Sequence, residues 1–456
     1  MATVGLSFGS ATSGAGFDVS STVTSILAIQ SAIETPWQNQ LTSLRAQDTA
    51  LSGLGTDLST LSTAVGSLTD FEGVLASKQG SSSDTNVLAL SSASSSAIAG
   101  SHTVTVTSLA QTSSEYSGTV ANASDTLSGS LSIQVGSGSA RTLTLGSSNN
   151  TLQTLASAIN SGSYGVTASI VSSTAGSRLS LVSNISGAAG QITLTPSLTD
   201  ATTGDSLAFT TGQQGADAVL NVDGLDTTSA SNTVTGAIPG VTFQLLAASP
   251  STPVQVQIAN DNSSVESAVQ SLVSAYNAVV SAAKGQEGND SSGNAEPLYG
   301  SPTIALIQEQ LSQSLLGGAS SGSITNIGQL GLSLNDDGTL ALDTSTLDST
   351  LNSSFADVQG FFQNTGSFGQ NLASAINTLG TASPNGAIEL ALSENSTVET
   401  GLNTDIANEN TQIAAEKTTL TTELNTANQI LQSIPQQLNE VNEIYSATTG
   451  YNQTQG

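Results

Sequence analysis

From Val23 to Leu68 the apolar positions fall into two columns with a seven-residue repeat. One carries Val23, Trp37, Leu44, Leu51, Leu58 and Val65, interrupted by Gln30; the other carries Ile26, Ile33, Leu54, Leu61 and Leu68, interrupted by Gln40 and Gln47. Spacings of three and four held over about six heptads predict a coiled-coil seam rather than the broader stripe of a globular helix. Proline suits the first turn of a helix and breaks an interior, so Pro36 predicts a break and a second helix over about 36–69. The far end repeats the pattern. Ile406, Ile413, Leu420, Ala427, Ile434 and Val441 form one column, and Leu424, Leu431, Leu438 and Tyr445 its partner. Asn410 and Lys417 take the earlier positions of that partner column, where a polar group costs stability but fixes register. Pro435 predicts a kink. With no obvious internal partner of equal length, the two seams point to helix association between chains or end to end; the plainer alternative is packing within one chain.

Between about 85 and 260 the period changes to two. Val104 and Val106 alternate with threonines, and Leu131, Ile133 and Val135 with Ser132 and Gln134. Similar runs lie at 143–145, 166–171, 179–182, 192–194, 219–222, 241–246 and 254–258. One amphipathic helix, with Leu152, Leu155, Ala156 and Ile159 on its apolar face, is set among them and capped from Asn150 and Thr151. From Val265 the helical period returns, first through Val280 and then, beyond a polar loop at 285–294, from Ile304 to Leu316. Leu330, Leu332 and Leu334, then Asn335-Asp336-Asp337-Gly338, then Leu340 and Leu342 predict a hairpin.

The predicted fold is α+β and multidomain: a terminal α-helical coiled-coil stalk or leg with inserted β-rich head domains. The division is a flexible segment 1–20, N-terminal coiled-coil helices 21–84, and a leg of 85–120 with 261–400. A β-rich head insertion with one helix covers 121–215, and a second β region covers 216–260 with part of 100–125. A C-terminal coiled-coil helix and tail cover 401–456.

Charge removes several functions. Six lysines and arginines against 34 acidic residues give a net charge of -28, which leaves no basic face for nucleic acid or an anionic membrane. With no cysteine there is neither a disulfide nor a thiolate metal site. No stretch approaches a membrane span, and the first twenty residues lack the regions of a secretory signal, so export without a cleaved signal is expected. His102 stands alone at a strand edge and is read as structural or solvated. Asp336 and Asp337 are read as turn residues rather than paired carboxylates or calcium ligands, and Asp223-Gly224 as another turn. No catalytic, metal or cofactor constellation is found, and an enzyme is not expected.

Four segments resemble the bacterial flagellar filament cap family, the hook-associated protein 2 family. Gly16-Phe17-Asp18-Val19, leading into the heptad run, is similar to its amino-terminal region. Residues 151–160, 165–170 and 178–181 resemble a β-rich insertion shared with flagellin-like proteins. Residues 231–234 and 239–243, with Ala275-Tyr276-Asn277, match the return of the head to the leg. Ile327-Gly328, Gly338-Thr339-Leu340 and Leu342-Asp343 look like its late hairpin. The resemblance implies a homo-oligomeric ring at the outer tip of the flagellum, resting on the filament through its terminal helices and promoting insertion of exported flagellin. It implies as partners flagellin, the hook–filament junction proteins and an export chaperone, with no cofactor. The heptad residues at both ends are then the oligomer or filament contacts. Two alternatives remain: a flagellin-like filament subunit, and an adhesin whose Ser/Thr-rich head binds host mucin or glycans.

Overall fold

The computed structural model describes residues 15–381 and 384–450. The chain opens with helices α1 (Val19–Ser31) and α2 (Glu34–Thr69). Strands follow: β1 (Lys78–Ser82), β2 (Leu88–Ala93), β3 (Gly100–Ser108), β4 (Thr112–Ser117), β5 (Leu127–Val135) and β6 (Arg141–Thr144). Helix α3 (Leu152–Ser161) precedes β7 (Val166–Ser173), β8 (Gly176–Ser186), β9 (Ile192–Asp200) and β10 (Phe209–Gln213). Then come β11 (Ala218–Val222), β12 (Leu225–Ser229), β13 (Thr233–Thr235), β14 (Val241–Leu245) and β15 (Val254–Asn260). Helices α4 (Asn262–Gly285) and α5 (Pro302–Leu316), hairpin strands β16 (Leu332–Leu334) and β17 (Leu340–Leu342), and helices α6 (Thr344–Gln363), α7 (Phe368–Leu379) and α8 (Ala387–Thr449) complete it. Two compact units result: residues 70–267, and residues 1–69 with 268–456.

The strand unit contains two separate apolar cores. In one, a five-stranded sheet of order β1-β15-β3-β11-β12 shares its core with a three-stranded sheet β13-β14-β2. Val104, Val106, Leu220 and Val256 from the first meet Leu88, Val234 and Phe243 from the second. In the other, the sheets β10-β4-β8-β7 and β6-β5-β9 enclose α3 through Leu131, Leu155, Ile159, Leu179 and Leu181. Every strand pairing recorded between these elements is antiparallel, so period-two alternation puts one face of each strand inward. Thr151 caps α3 as predicted, in a reciprocal box with Thr154.

Residues 85–120 are expected in the leg, but β2 and β3 bury Leu88, Val104 and Val106 in the first strand core. The expected helical region 21–84 likewise ends at Thr69, and residues 78–82 form β1. The strands missed by period reading, such as β4 (TSSEYS) and β12 (LDTTS), are mostly hydroxyl and acidic side chains. They are held in their sheets by backbone pairing rather than by an apolar face. The lone His102 sits beside the β11–β12 turn, its Nδ1 2.7 Å from Asp223 Oδ2. Asp223 (φ 53°) and Gly224 (φ 88°) both take the left-handed conformation that a two-residue hairpin turn requires. The hydrogen bond from His102, then one from the Thr103 amide, lowers the Asp223 carboxyl below its ordinary range.

In the helical unit α2 supplies the central core. Leu58, Leu61 and Leu68 have no exposed surface, and α2 packs on α6, α7 and α8. Phe361, Phe362 and Phe368 form a compact aromatic group, with the Phe361 and Phe368 rings stacked at 5.1 Å. The hairpin β16–β17 is tied to α4 by one side chain. Asn277 donates to the Leu340 carbonyl (2.8 Å) and accepts from the Leu340 amide (2.6 Å). That pair of hydrogen bonds to backbone gives Asn277 a structural role in joining helix to hairpin.

Asp343 ends the hairpin and caps α6. Its carboxylate accepts from Ser345 and Thr346, and these bonds, the Ser345 hydroxyl first, hold its pKa at about 2. A pKa depressed on folding contributes stability above the unfolded value near 4 and loses it as pH falls through about 2. Asp343→Ala is therefore expected to lower the urea midpoint at pH 7, and the two proteins should converge below pH 2. An equal gap at both pH values would contradict the cap's role.

Candidate assembly interface

The terminal helices meet each other inside the helical unit. Phe17 donates its amide to Asn428 Oδ1 (2.9 Å), Gln30 Nε2 donates to Glu416 Oε2 (2.6 Å), and Asn395 Nδ2 donates to Asp48 Oδ1 (2.7 Å). Partner numbers fall along α8 as they rise along α1 and α2, so the pairing is antiparallel. Two apolar clusters lie between these polar ties. Val19, Val23 and Leu27 pack with Phe17, Ile413, Leu420 and Leu424. Leu41, Leu44 and Leu402 pack with Trp37 and Ile406.

The start of this pairing explains the Gly16-Phe17-Asp18 run. Gly16 has φ 64°, and a Cβ there would come within 2.3 Å of Asn428 Oδ1, so only glycine allows the close approach. Asp18 then caps α1 by accepting from the Ser21 amide at 3.1 Å. The helix accordingly begins at Val19, within the segment expected to be flexible; the first fourteen residues of that segment lie outside the described residues.

The break between α1 and α2 falls at residues 32–33, and Pro36 occupies the first turn of α2. This is where proline's missing amide costs nothing. Around the break the buried face departs from the heptad columns. Leu27 and Leu41 are buried, while Ile26 and Trp37 are partly covered and Ile33 is 53% exposed. A straight helix repeats every 3.6 residues rather than 3.5, so a strict seven-residue count drifts off the packed face. Leu27, Leu41 and Leu402 fall outside the columns for that reason; the i, i+4 steps Val23 to Leu27, Trp37 to Leu41 and Leu402 to Ile406 are their signals.

From Leu44 onward the columns hold. Leu44, Leu51, Leu54, Leu58, Leu61, Val65 and Leu68 are all buried within this chain. On α8 the picture differs. Ile406, Ile413, Leu420, Leu424, Leu431 and Ile434 are half-buried, but Leu438 (46%) and Val441 (60%) are exposed, with Ile444 and Tyr445 beside them. At Pro435 the helix is not ended: α8 runs as one helix through to Thr449. Proline removes one amide from the ladder there, and in this half-covered stretch the freed carbonyl can still turn to solvent.

Phe17 thus lies opposite Asn428, and beyond that point α8 carries Leu438, Val441 and Tyr445 on a stripe of spacing three and four that no described residue covers. Among the described residues no cluster of His, Asp and Glu could hold a metal ion, and no helix is long and apolar enough to cross a membrane.

The antiparallel helical ends around a strand-rich middle have known counterparts. A family model described as the flagellar hook-associated protein 2 N-terminus matches residues 15–113, and one described as its C-terminus matches residues 215–455. The chain belongs to the flagellar hook-associated protein 2 family. Among its relatives, the B-type flagellar hook-associated protein 2 of Pseudomonas aeruginosa is 28% identical over 375 residues, covering 76% of this chain and 78% of the relative. The flagellar hook-associated protein 2 of Escherichia coli K12 is 28% identical over 399 residues, covering 80% of this chain and 84% of the relative. The solved D1-D2-D3 domains of the flagellar cap protein FliD from Escherichia coli superpose with a TM-score of 0.60 at 25% identity, covering 76% of this chain and 99% of that one. The hook-associated protein 2 fold therefore spans both units, and the family is a structural one rather than an enzyme family.

Proposed function

We infer that this chain caps the distal end of the bacterial flagellar filament, outside the cell, where copies associate with one another and with flagellin. The observation that carries this reading is the joint match: both family models in chain order, and a flagellar cap structure covered almost end to end. Neither a flagellin-like subunit nor an adhesin accounts for that match.

The finer picture is a closed ring that promotes insertion of exported flagellin, with the uncovered α8 stripe as the contact to filament or neighbour. Such a stripe suits helix-to-helix docking, because spacings of three and four present one continuous apolar edge. Passage through an export channel as an unfolded chain, assisted by a chaperone, fits a sequence with no cysteine to cross-link. The Ser/Thr-rich strand surface is compatible with glycan contact as an added role.

Fluorescently labelled chain added to isolated filaments with bare ends tests the central reading. A single label at one end of each filament is expected. Incorporation along the length would replace the cap with a filament subunit, and no binding at either end would remove both.

A further inference from the structure

Within the helical unit, α4, α5 and the β16–β17 turn enclose a cavity of about 270 Å³ that the assembly role does not use. Its walls are apolar, from Val280, Ile307 and Leu311. Tyr276 lines it while being only 1% exposed, and its hydroxyl makes no hydrogen bond to any described residue. With no described protein partner, that hydroxyl keeps its hydrogen-bonding capacity for whatever occupies the cavity. Burial alone pushes this phenol up to about 12, so it stays protonated and able to donate or accept.

The rim is charged and unbalanced. Glu287, Asp336 and Asp337 surround it against the single ammonium of Lys284. The Thr339 hydrogen bonds lower the Asp337 carboxyl first, and the nearby charge of Lys284 adds a smaller effect in the same direction. Gln308 Nε2 donates to Glu287 Oε1 at 2.9 Å across the rim, and a carboxylate has further lone pairs with which to accept. The space is below the usual range for drug-sized ligands, about 300–1,000 Å³, and so suits a fragment-sized molecule. An apolar body satisfies the walls, and a positive end satisfies the carboxylates.

We propose that this cavity is a binding site for a small organic amine, its hydrocarbon part between α4 and α5 and its ammonium at the Glu287, Asp336 and Asp337 rim. Small acids of the same length are rejected by the same three carboxylates. The site is separate from the terminal helix pairing and does not depend on the capping reading.

The test is a titration of the full chain with n-hexylamine, followed through the ring resonances of labelled tyrosine, with n-hexanoate as the matched anion. Saturable shifts of the Tyr276 ring are expected, with a Kd on the order of 1 mM for a ligand of this size and at least about tenfold preference for the amine. Asp336→Asn with Asp337→Asn should remove most of that preference while keeping the turn. Leu311→Phe, which fills the space, should abolish binding; if it does not fold, the carboxamide pair decides. No saturation, an equal response to hexanoate, or an undiminished preference in the carboxamide pair overturns the proposal.

Discussion

Replacing Leu438 and Val441 together by aspartate is expected to leave the folded monomer intact and to abolish self-association and filament-end binding. Both side chains are exposed, 46% and 60%, so charging them costs the isolated chain no more than about 0.5 kcal/mol each. If the stripe is buried against a neighbour, each carboxylate would have to be desolvated without a partner. That penalty is about 3 kcal/mol per group, more than a hundredfold in Kd. Gln436→Glu, on the opposite face of the helix, adds charge without touching the stripe and serves as the control. Thermal unfolding separates folding from assembly, sedimentation velocity reads association, and motility of complemented cells reads function. Normal association in the double variant would place the contact elsewhere on the molecule. It would leave the family assignment untouched, because that rests on the whole chain.

Leu58→Ala is expected to act in the opposite way, through stability alone. Leu58 has no exposed surface and lies in the middle of α2. Truncation there removes buried methylenes and opens a cavity in a packed core, at a cost of about 3 kcal/mol. The denaturation midpoint of the helical unit should fall accordingly, and any loss of capping should be recovered on cooling or with a stabilising osmolyte. Val23→Ala supplies the contrast. Val23 is buried, but it packs with Ile413, Leu420 and Leu424, which are only partly covered, and a smaller side chain is lost, about 1.5 kcal/mol for two methylenes. A Leu58 variant as stable as the parent would mean that the α2 seam is not packed as described.

The heptad seams at the two ends look alike in the sequence, yet they serve different ends. The residues of α2 from Leu44 to Leu68 are consumed by the chain's own core, whereas Leu438 and Val441 are left open. Periodicity reports that a helix has an apolar edge; it carries no information on what lies against it. The antiparallel alignment of α1 and α2 with α8 depends on a chain reversal through several hundred residues. The polar pairs that register it, Gln30 with Glu416 and Asp48 with Asn395, are unremarkable one at a time.

The sequence by itself determined the coarse order of helix, strand region, helix, hairpin and helix, the break near Pro36, the hairpin at Asn335–Gly338, the turn at Asp223–Gly224, the capped α3 and the absence of thiol chemistry. Each of these is local: a turn needs φ > 0, a cap needs an oxygen near free amides, and a helix edge needs its repeat. Tertiary structure alone decided that β2 and β3 leave the leg to join β11, β14 and β15 in one core. It also decided that polar strands such as β4 and β12 pair, that Tyr276 faces a cavity, and that no described residue covers the distal stripe of α8. These outcomes depend on which surfaces meet after the chain returns on itself, because burial is a property of the neighbour as much as of the side chain.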